Sequence, residues 1–478
     1  MLDFSRNLFN NNSMKNNKFW LLYFLMLVLE LAVAGVIFAK FGFDFYQGGD
    51  SPGYMILAKN FVEHSTFSLN NASPYTPSNI RTPGYPLFLA LIYLIFHSFV
   101  PAIFFGALIS AFAAPLIYLI AKEVFAPLDK APEGRYLTGQ AEKIAFVAAI
   151  LTAIEPMGLF LGVSIVTEGI FTPILFLAVY CFIRYLKHGD TKNIWISGFL
   201  FGIATLIRPI TFYFWPLAIL FIIYKLKDSW HHALKKSLIF ALTFFIVLSP
   251  WLIRNKISVG SWQIAGLQGY VFFIDHYGAV LRYLGEAGPL SDVQARAFAI
   301  AGPDKIFTSQ GSDILFKSAI SGIKEHKFVY ASVYAKSLIS FFVANGYKSF
   351  FIDILGIPAK ASFVPFELFL RFDFKSIFKT MAGMDFIGVL IYFGSKIFWV
   401  AASGLFLTSF IYLLIKKNFK AIRAEIIFIA AIIIYFALIT GPTAVGGGRT
   451  KAPINGLIFI FAVFGFYKLL DFFKKKTA

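Results

Sequence analysis

Charged residues are scarce in this chain: Asp, Glu, Lys and Arg make up 14% of its 478 residues. An ordinary globular protein carries about a quarter, so a soluble enzyme is excluded. Cysteine is scarcer. Cys181 stands alone, which excludes an intramolecular disulfide framework and a cysteine-rich metal site. Acids are the rarer sign, 25 against 43 bases, for a formal net charge of +18. In a membrane protein such an excess of Lys and Arg gathers in cytoplasmic loops, so no nucleic-acid partner is expected. No small-residue cleavage pattern follows the first apolar block, which therefore reads as a retained helix. No internal repeat is visible, and the two halves differ in loop length, which argues against an inverted-repeat transporter.

What is abundant is apolar surface. Hydrophobic residues make up 58% of the chain and mean hydropathy is +0.72, which rules out disorder. A helix needs about 20 apolar residues to cross a bilayer. Such blocks lie near 19–39, 101–121, 144–162, 166–184, 193–208, 210–225, 237–253, 387–415, 424–441 and 454–470. Basic loops separate several of them: Lys122, Lys130, Arg135 and Lys143; Arg184, Lys187 and Lys192; Lys225, Lys227, Lys235 and Lys236; Lys416, Lys417, Lys420 and Arg423. The positive-inside rule puts all of these in the cytoplasm. One further block, 84–99, is barely long enough. A crossing there would turn every later basic loop outward, so this helix is expected along the outer surface, or dipping in and returning. The expected fold is an all-α polytopic membrane protein with about ten transmembrane helices. Its parts are a cytoplasmic tail (1–18), a seven-span module (19–253) with a first outer loop (40–100), a large outer segment (254–386), C-terminal spans (387–470) and a basic tail (471–478).

The first outer loop has the sharpest local pattern. Gly48 and Gly49 precede Asp50, and Ser51-Pro52 is a helix start with proline at the first position. Tyr54, Leu57, Ala58 and Phe61 then share one face, while Lys59, Asn60, Glu63 and His64 fall mostly on the other. Such a helix suits the bilayer surface. Asp50 sits at its N-terminal edge, where the helix dipole favours a carboxylate. There it either caps the helix or accepts a proton from a substrate hydroxyl. Arg81 stands before Thr82-Pro83, a second helix start. Its planar fork suits a phosphate oxygen; the alternative is contact with lipid headgroups. In the large outer segment Asp275 and His276 stand together, and 324–344 reads as a surface helix.

Taken together, these residues resemble the polyprenyl-phosphate-sugar-dependent glycosyltransferases of the GT-C fold, of the glycosyltransferase family 39 type. That group includes protein O-mannosyltransferases and lipid A aminoarabinose transferases. The matching positions are Asp50, Tyr54, Ala58, Arg81, Pro83 and Tyr85, then Glu168 in SIVTEG, Arg208 in LIRP, and Arg254 and Asn255 in SPWLIRN. They fall within roughly 19–260, with an echo at Gly448–Pro453. The resemblance implies juxtamembrane helices in the first outer loop. It implies transfer of a sugar from a polyprenyl-phosphate donor to an acceptor on the outer face, with inversion.

The resemblance also implies that Asp50 is the catalytic base or organises the acceptor. Many relatives carry Asp-Glu there, whereas here Ser51 follows Asp50. Glu168 is the candidate for the second acidic role, since a carboxylate at the edge of a span is a functional candidate by default. The donor phosphate would meet Arg81, Arg208, Arg254, Arg449 and Lys451, all expected on the outer side. Preset cations there stabilise a departing phosphate. Tyr54 and Tyr85 complete the substrate-binding set. A divalent metal, Mg or Mn, would sit at Asp50 and Glu168 if the enzyme uses one. The implied partners are the lipid-linked donor, membrane lipid and a glycan, lipid or protein acceptor. A Phe-, Lys-, Ile- and Asn-rich composition points to a bacterial inner membrane, with the active face toward the periplasm. The competing expectation is a transporter or a flippase for lipid-linked glycans, for which Lys396 is the clearest polar group within a span.

Overall fold

The computed structural model describes residues 17–125, 138–360, 364, 368, 371–415, 423–441 and 448–477. The expected loop residues Lys130, Arg135, Lys416, Lys417 and Lys420 lie outside the described residues. Among those described, helix is the only regular secondary structure. The first part of the chain forms α1 Asn17–Phe41, α2 Ser51–His64, α3 Gly84–Phe96, α4 Val100–Ser110, α5 Ala113–Phe125 and α6 Thr138–Ala153. It continues with α7 Pro156–Gly162, α8 Glu168–His188, α9 Thr191–Ile207, α10 Trp215–Lys225 and α11 Trp230–Val259. Shorter helices follow: α12 Gln268–Phe272, α13 Gly278–Leu284, α14 Leu290–Ala301, α15 Ser309–Glu325, α16 Lys327–Val343 and α17 Phe374–Ala382. The chain ends with α18 Phe386–Ile415, α19 Ala424–Thr440 and α20 Asn455–Thr477.

Among the described residues, six helices are long and apolar enough to cross a membrane: α1, α4 with α5, α8, α11, α18 and α20. Helices α6 and α7 add a seventh if their 59° bend belongs to one span. Three more expected spans are helices too, at Thr191–Ile207, Pro209–Lys225 and Ala424–Thr440. The first and third have 17 residues each. Such a helix is about 26 Å long, against a hydrocarbon core of about 30 Å. The protein is thus an all-α polytopic membrane protein, and three of its expected spans are shorter apolar helices.

Two ion-pair clusters mark the ends of the bundle. At one end Lys18 of α1 and Lys122 of α5 both reach Glu142 of α6, at 2.9 and 3.6 Å. At the other end Asp50, just past α1, meets the start of α8 through Arg449. Helix α5 therefore finishes where α1 begins. Helix α4 starts near the opposite end: Gly106 abuts Gly162, and Gly162 abuts Gly169 beside Glu168. The chain between α1 and α4 leaves and re-enters at the same end, so α3 adds no net crossing. This agrees with the expectation for 84–99.

Helix α9 lies between α8 and α11. Gly198 and Gly202 face the α11 backbone at Phe240 and Phe244, where a Cβ would collide. Between helices in lipid, small residues permit this close approach and its dispersion contacts. The outward stripe of α11, Leu238, Leu242, Ile246 and Ile253, is exposed and apolar, as a lipid-facing side requires.

Two boundaries differ from expectation. Helix α11 does not stop at 253 but runs on to Val259, where Gly260 turns the chain with φ +76°. Arg254 thus lies inside a helix. The expected surface helix 324–344 is broken at His326 into the end of α15 and all of α16. The segment holding α12–α17 has a small core of its own, including Phe273, Val293, Ala297 and Leu315.

Candidate active site

Asp50 follows Gly49, whose φ of +63° turns the chain into α2. It occupies the position before the helix, but its side chain caps nothing. It faces two guanidiniums instead. Arg81 Nη2 donates to Oδ1 at 2.6 Å, and Arg449 Nη1 donates to Oδ2 at 2.9 Å. Glu168 opens α8, and Thr167 does not cap that helix either. Arg449 Nε donates to Glu168 Oε1 at 2.5 Å and Arg449 Nη2 to Oε2 at 3.3 Å. Arg208 pairs with the same carboxylate and donates to the Thr167 hydroxyl at 3.2 Å. The Thr167 hydroxyl donates to Glu168 Oε2 at 3.1 Å. Asp50, Arg81, Glu168, Arg208 and Arg449, brought in from distant stretches of sequence, thus form one continuous network.

Local packing aims these side chains. The Thr82 hydroxyl donates to the Ile207 carbonyl at 3.1 Å, and Gly84 sits against Leu206 and Ile207 with no room for a Cβ. This docks the loop carrying Arg81 onto the end of α9, beside Arg208. The Arg81 guanidinium lies over the Tyr54 ring at 5.1 Å, and Tyr54 meets Tyr85 edge-on. Both tyrosines are buried. They hold Arg81 from beneath and do not present an open surface. Arg449 follows Gly448, whose φ is +92° and which packs against the Asn345 backbone. Gly446 and Gly447 lie outside the described residues.

Exposure separates the two carboxylates. The Asp50 side chain keeps 31% of its surface and Arg449 keeps 32%, whereas Glu168 keeps 1%. Asp50 is partly open to solvent; Glu168 is covered, with two arginines on its carboxylate. Three guanidiniums against two carboxylates leave one net positive charge. Burial works against the charged form of Asp50, but Arg81 and Arg449 outweigh it and hold the carboxyl below its ordinary range. Arg81 and Arg449 are raised in turn: burial opposes their charge, and their anionic neighbours prevail.

Two sequence candidates are placed elsewhere. Arg254 donates to the carbonyls of Ser78 at 2.7 Å and Phe67 at 3.3 Å and lies over the Trp251 ring. It ties the 66–80 loop to α11. Lys451 is buried, with Nζ over the Trp399 ring and donating to the Phe342 carbonyl at 3.2 Å. Among the described residues, none of its hydrogen bonds or ion pairs joins the arginine network. Lys396 of α18 donates to the neighbouring Val343 carbonyl. Among the described residues no three His, Cys, Asp or Glu side chains gather as a metal site. Both carboxylates of the network already face guanidiniums, so this donor set suits an anion and does not fit Mg or Mn, which take oxygen ligands.

Sequence reasoning misses two features. Thr167, which joins Arg208 to Glu168, has no signature beyond its place before an acid. Glu30 has one, an acid in the middle of an apolar span. It is fully buried, with the Ser110 side chain beside it. It packs at Gly162, beside a cavity of about 30 Å³ lined by Ser110, Thr152, Glu155, Glu168 and Asn455.

Known proteins resemble this chain in part. The archaeal oligosaccharyltransferase AglB from Archaeoglobus fulgidus, solved with an inhibitory peptide and a dolichol-phosphate, is 14% identical with a TM-score of 0.48, covering 96% of this chain and 51% of that one. A second structure of an Archaeoglobus fulgidus oligosaccharyltransferase, with zinc and sulfate, is also 14% identical, with a TM-score of 0.45 over 94% and 49%. This chain therefore spans about half the length of those oligosaccharyltransferases. ArnT from Cupriavidus metallidurans, bound to undecaprenyl phosphate, is 14% identical with a TM-score of 0.34, over 92% of this chain and 76% of that one. No curated protein sequence matches. Residues 134–253, the stretch that carries Glu168 and Arg208, match the profile of the dolichyl-phosphate-mannose-protein mannosyltransferase family.

Proposed function

We propose that this protein is a membrane glycosyltransferase that takes a sugar from a polyprenyl-phosphate donor and gives it to a hydroxyl acceptor. The single observation that carries this reading is the partly exposed Asp50 held between Arg81 and Arg449 in a network with one net positive charge. The family match over 134–253 supports it.

The donor is a phosphodiester with one negative charge. With it bound, three guanidiniums face three negative charges. The acceptor oxygen attacks the anomeric carbon from the side opposite the phosphate, and Asp50 takes the hydroxyl proton. The carbon–oxygen bond to phosphate breaks, and its electron pair leaves with the polyprenyl phosphate. The configuration inverts. The leaving group gains a charge as Asp50 loses one, so the same guanidiniums balance both states. Preset cations of this kind are a strong source of transition-state stabilisation. Glu168 is too buried to meet an acceptor and acts by holding Arg208 and Arg449. In a bacterial inner membrane this site would face the periplasm, since Lys18 and Lys122 occupy the opposite end.

The test uses full-length protein in lipid nanodiscs with a panel of polyprenyl-phosphate sugars. Polyprenyl-phosphate release is followed by mass spectrometry. Wild type is expected to release it, and Asp50→Asn to lose about 10²–10⁴-fold, the usual share of a general base. Full activity in a well-folded Asp50→Asn preparation sinks this assignment. Substrate flux without any covalent product would instead favour a transporter.

A further inference from the structure

We propose that the donor phosphate unlocks the catalytic base. Asp50 is latched by Arg81 and Arg449. A bound phosphodiester draws these guanidiniums onto its own oxygens, and Asp50 then becomes able to accept a proton. This rests on the donor reading above and adds an order to it: donor first, then acceptor deprotonation.

The geometry points to this in three ways. First, each Asp50 oxygen has its own guanidinium, at 2.6 Å from Arg81 and 2.9 Å from Arg449. A carboxylate so paired is a poor base, because a general base works best with a pKa near the working pH. Second, the latch is partly open to solvent. Asp50, Arg81 and Arg449 each keep about 30% of their side-chain surface, so a phosphate can reach the guanidiniums without unpacking the core. Third, Arg449 has a separate anchor. It is bonded through Nε and Nη2 to the buried Glu168, whereas Nη1 alone meets Asp50. Arg449 can therefore exchange Asp50 for phosphate and stay in place. Arg208, on the same carboxylate, fixes the other side of that anchor. Glu168 is in this scheme a positioning residue.

A latch of this kind keeps the base idle until the donor is in place. Without a phosphate in the site, Asp50 has little tendency to take a proton from water or a stray hydroxyl. Removing an opposite charge from a carboxylate, and placing an anion beside it, both raise its pKa, and an opposite charge alone is worth about 1–3 units.

The experiment labels Asp50 with a water-soluble carbodiimide and an amine nucleophile, reagents that act on the protonated acid. Full-length protein in nanodiscs is titrated with undecaprenyl phosphate, with binding followed by native mass spectrometry and labelling by peptide mass spectrometry. The expected result is slow labelling in lipid-phosphate-free protein, and a rise of about tenfold per unit of pKa when the lipid binds. Arg449→Ala is expected to label fast from the start and to gain little from lipid. Arg449→Lys, which keeps the charge but loses the fork, should fall between them and guards against a folding defect. Exposed Asp292 serves as the internal control and should not change.

If undecaprenyl phosphate binds and Asp50 labelling stays flat or falls, the latch is overturned while the donor reading stands. If no polyprenyl phosphate binds a folded preparation, the donor reading fails and takes the latch with it.

Discussion

Replacing Glu168 by Gln separates a positioning acid from a catalytic one. The change keeps shape and removes one charge. Glu168 is 1% exposed and holds two guanidiniums, so the variant leaves Arg208 and Arg449 facing a neutral amide. Breaking a fully buried ion pair costs about 3–5 kcal/mol, and exposed pairs are worth about 0–1 kcal/mol. The arginines keep 20% and 32% of their surface, which places the expected loss of stability between these limits, at about 1–3 kcal/mol. The network gains a positive charge, but Arg449 loses the anchor that holds it in place for a donor phosphate and keeps Asp50 as its remaining anionic partner, and the lost positioning is expected to dominate. Half-saturation by donor is expected to rise about tenfold, or 1.4 kcal/mol, while the single-turnover rate at saturating donor falls less. The acid limb of the rate profile should persist, because it belongs to Asp50, and should move only toward lower pH, since Arg449 is then left to Asp50 alone. The assay is single-turnover release of polyprenyl phosphate in nanodiscs across donor concentration and pH. Unchanged donor affinity with a rate abolished at every pH would refute the reasoning and make Glu168 the base.

Two further predictions test the surroundings. A Cβ on Gly84 would stand 2.8 Å from the Leu206 backbone, an overpacking worth about 1–3 kcal/mol. Gly84→Ala should lower both the thermal midpoint and donor affinity by displacing Arg81; Gly53→Ala, whose nearest atom would be 3.9 Å away, should spare both, and equal effects would refute the docking role. Away from the site, burial lifts Asp275 to about 6 from 3.8, partly offset by Arg282, and lowers His276 to about 4 from 6.5. The stability share of Asp275 is full below 3.8 and is lost as pH rises through 6; that of His276 is full above 6.5 and is lost as pH falls through 4. The two slopes oppose between about pH 4 and 6, with individual amplitudes of about 1–3 kcal/mol. Asp275→Asn should therefore make the thermal midpoint climb with pH across that window, and His276→Gln should make it fall. Identical profiles for the two variants would contradict this account.

Much of the network is legible in the amino-acid sequence. Asp50, Arg81, Glu168, Arg208 and Arg449 all stand out there, because each is a charge at the end of an apolar block, where a membrane protein seldom places one without use. The same signal marks Arg254 and Lys451, which the structure places outside the network. A cation beside a span looks the same in sequence whether it meets a phosphate or a backbone carbonyl. Arg254 turns to Ser78 and Phe67 because α11 continues past it, and Lys451 turns to Phe342 and Trp399. Tyr54 and Tyr85 read as substrate contacts; both are buried, Tyr54 beneath Arg81 and Tyr85 edge-on against Tyr54. Glu30 is the converse case: it is an acid buried within an apolar run, but it lies outside the motifs that single out the other acids.

By itself the sequence determined that the chain crosses a membrane many times, which blocks are helices, and which end of each carries charge. These follow from local quantities: apolar length, helix-start residues, and the sign of nearby side chains. It also favoured a reading in which 84–99 adds no net crossing, since a crossing there would turn the later basic loops outward. Tertiary structure alone decided which charges meet. Asp50 and Arg449 are 399 residues apart, and no local pattern records a contact made when α1 and α20 bring their ends together. It also decided that Glu168 is covered while Asp50 is open, because burial depends on what the rest of the chain lays over a residue. Whether a carboxylate is a base or an anchor is set there, by how many guanidiniums surround it and whether a substrate can reach it.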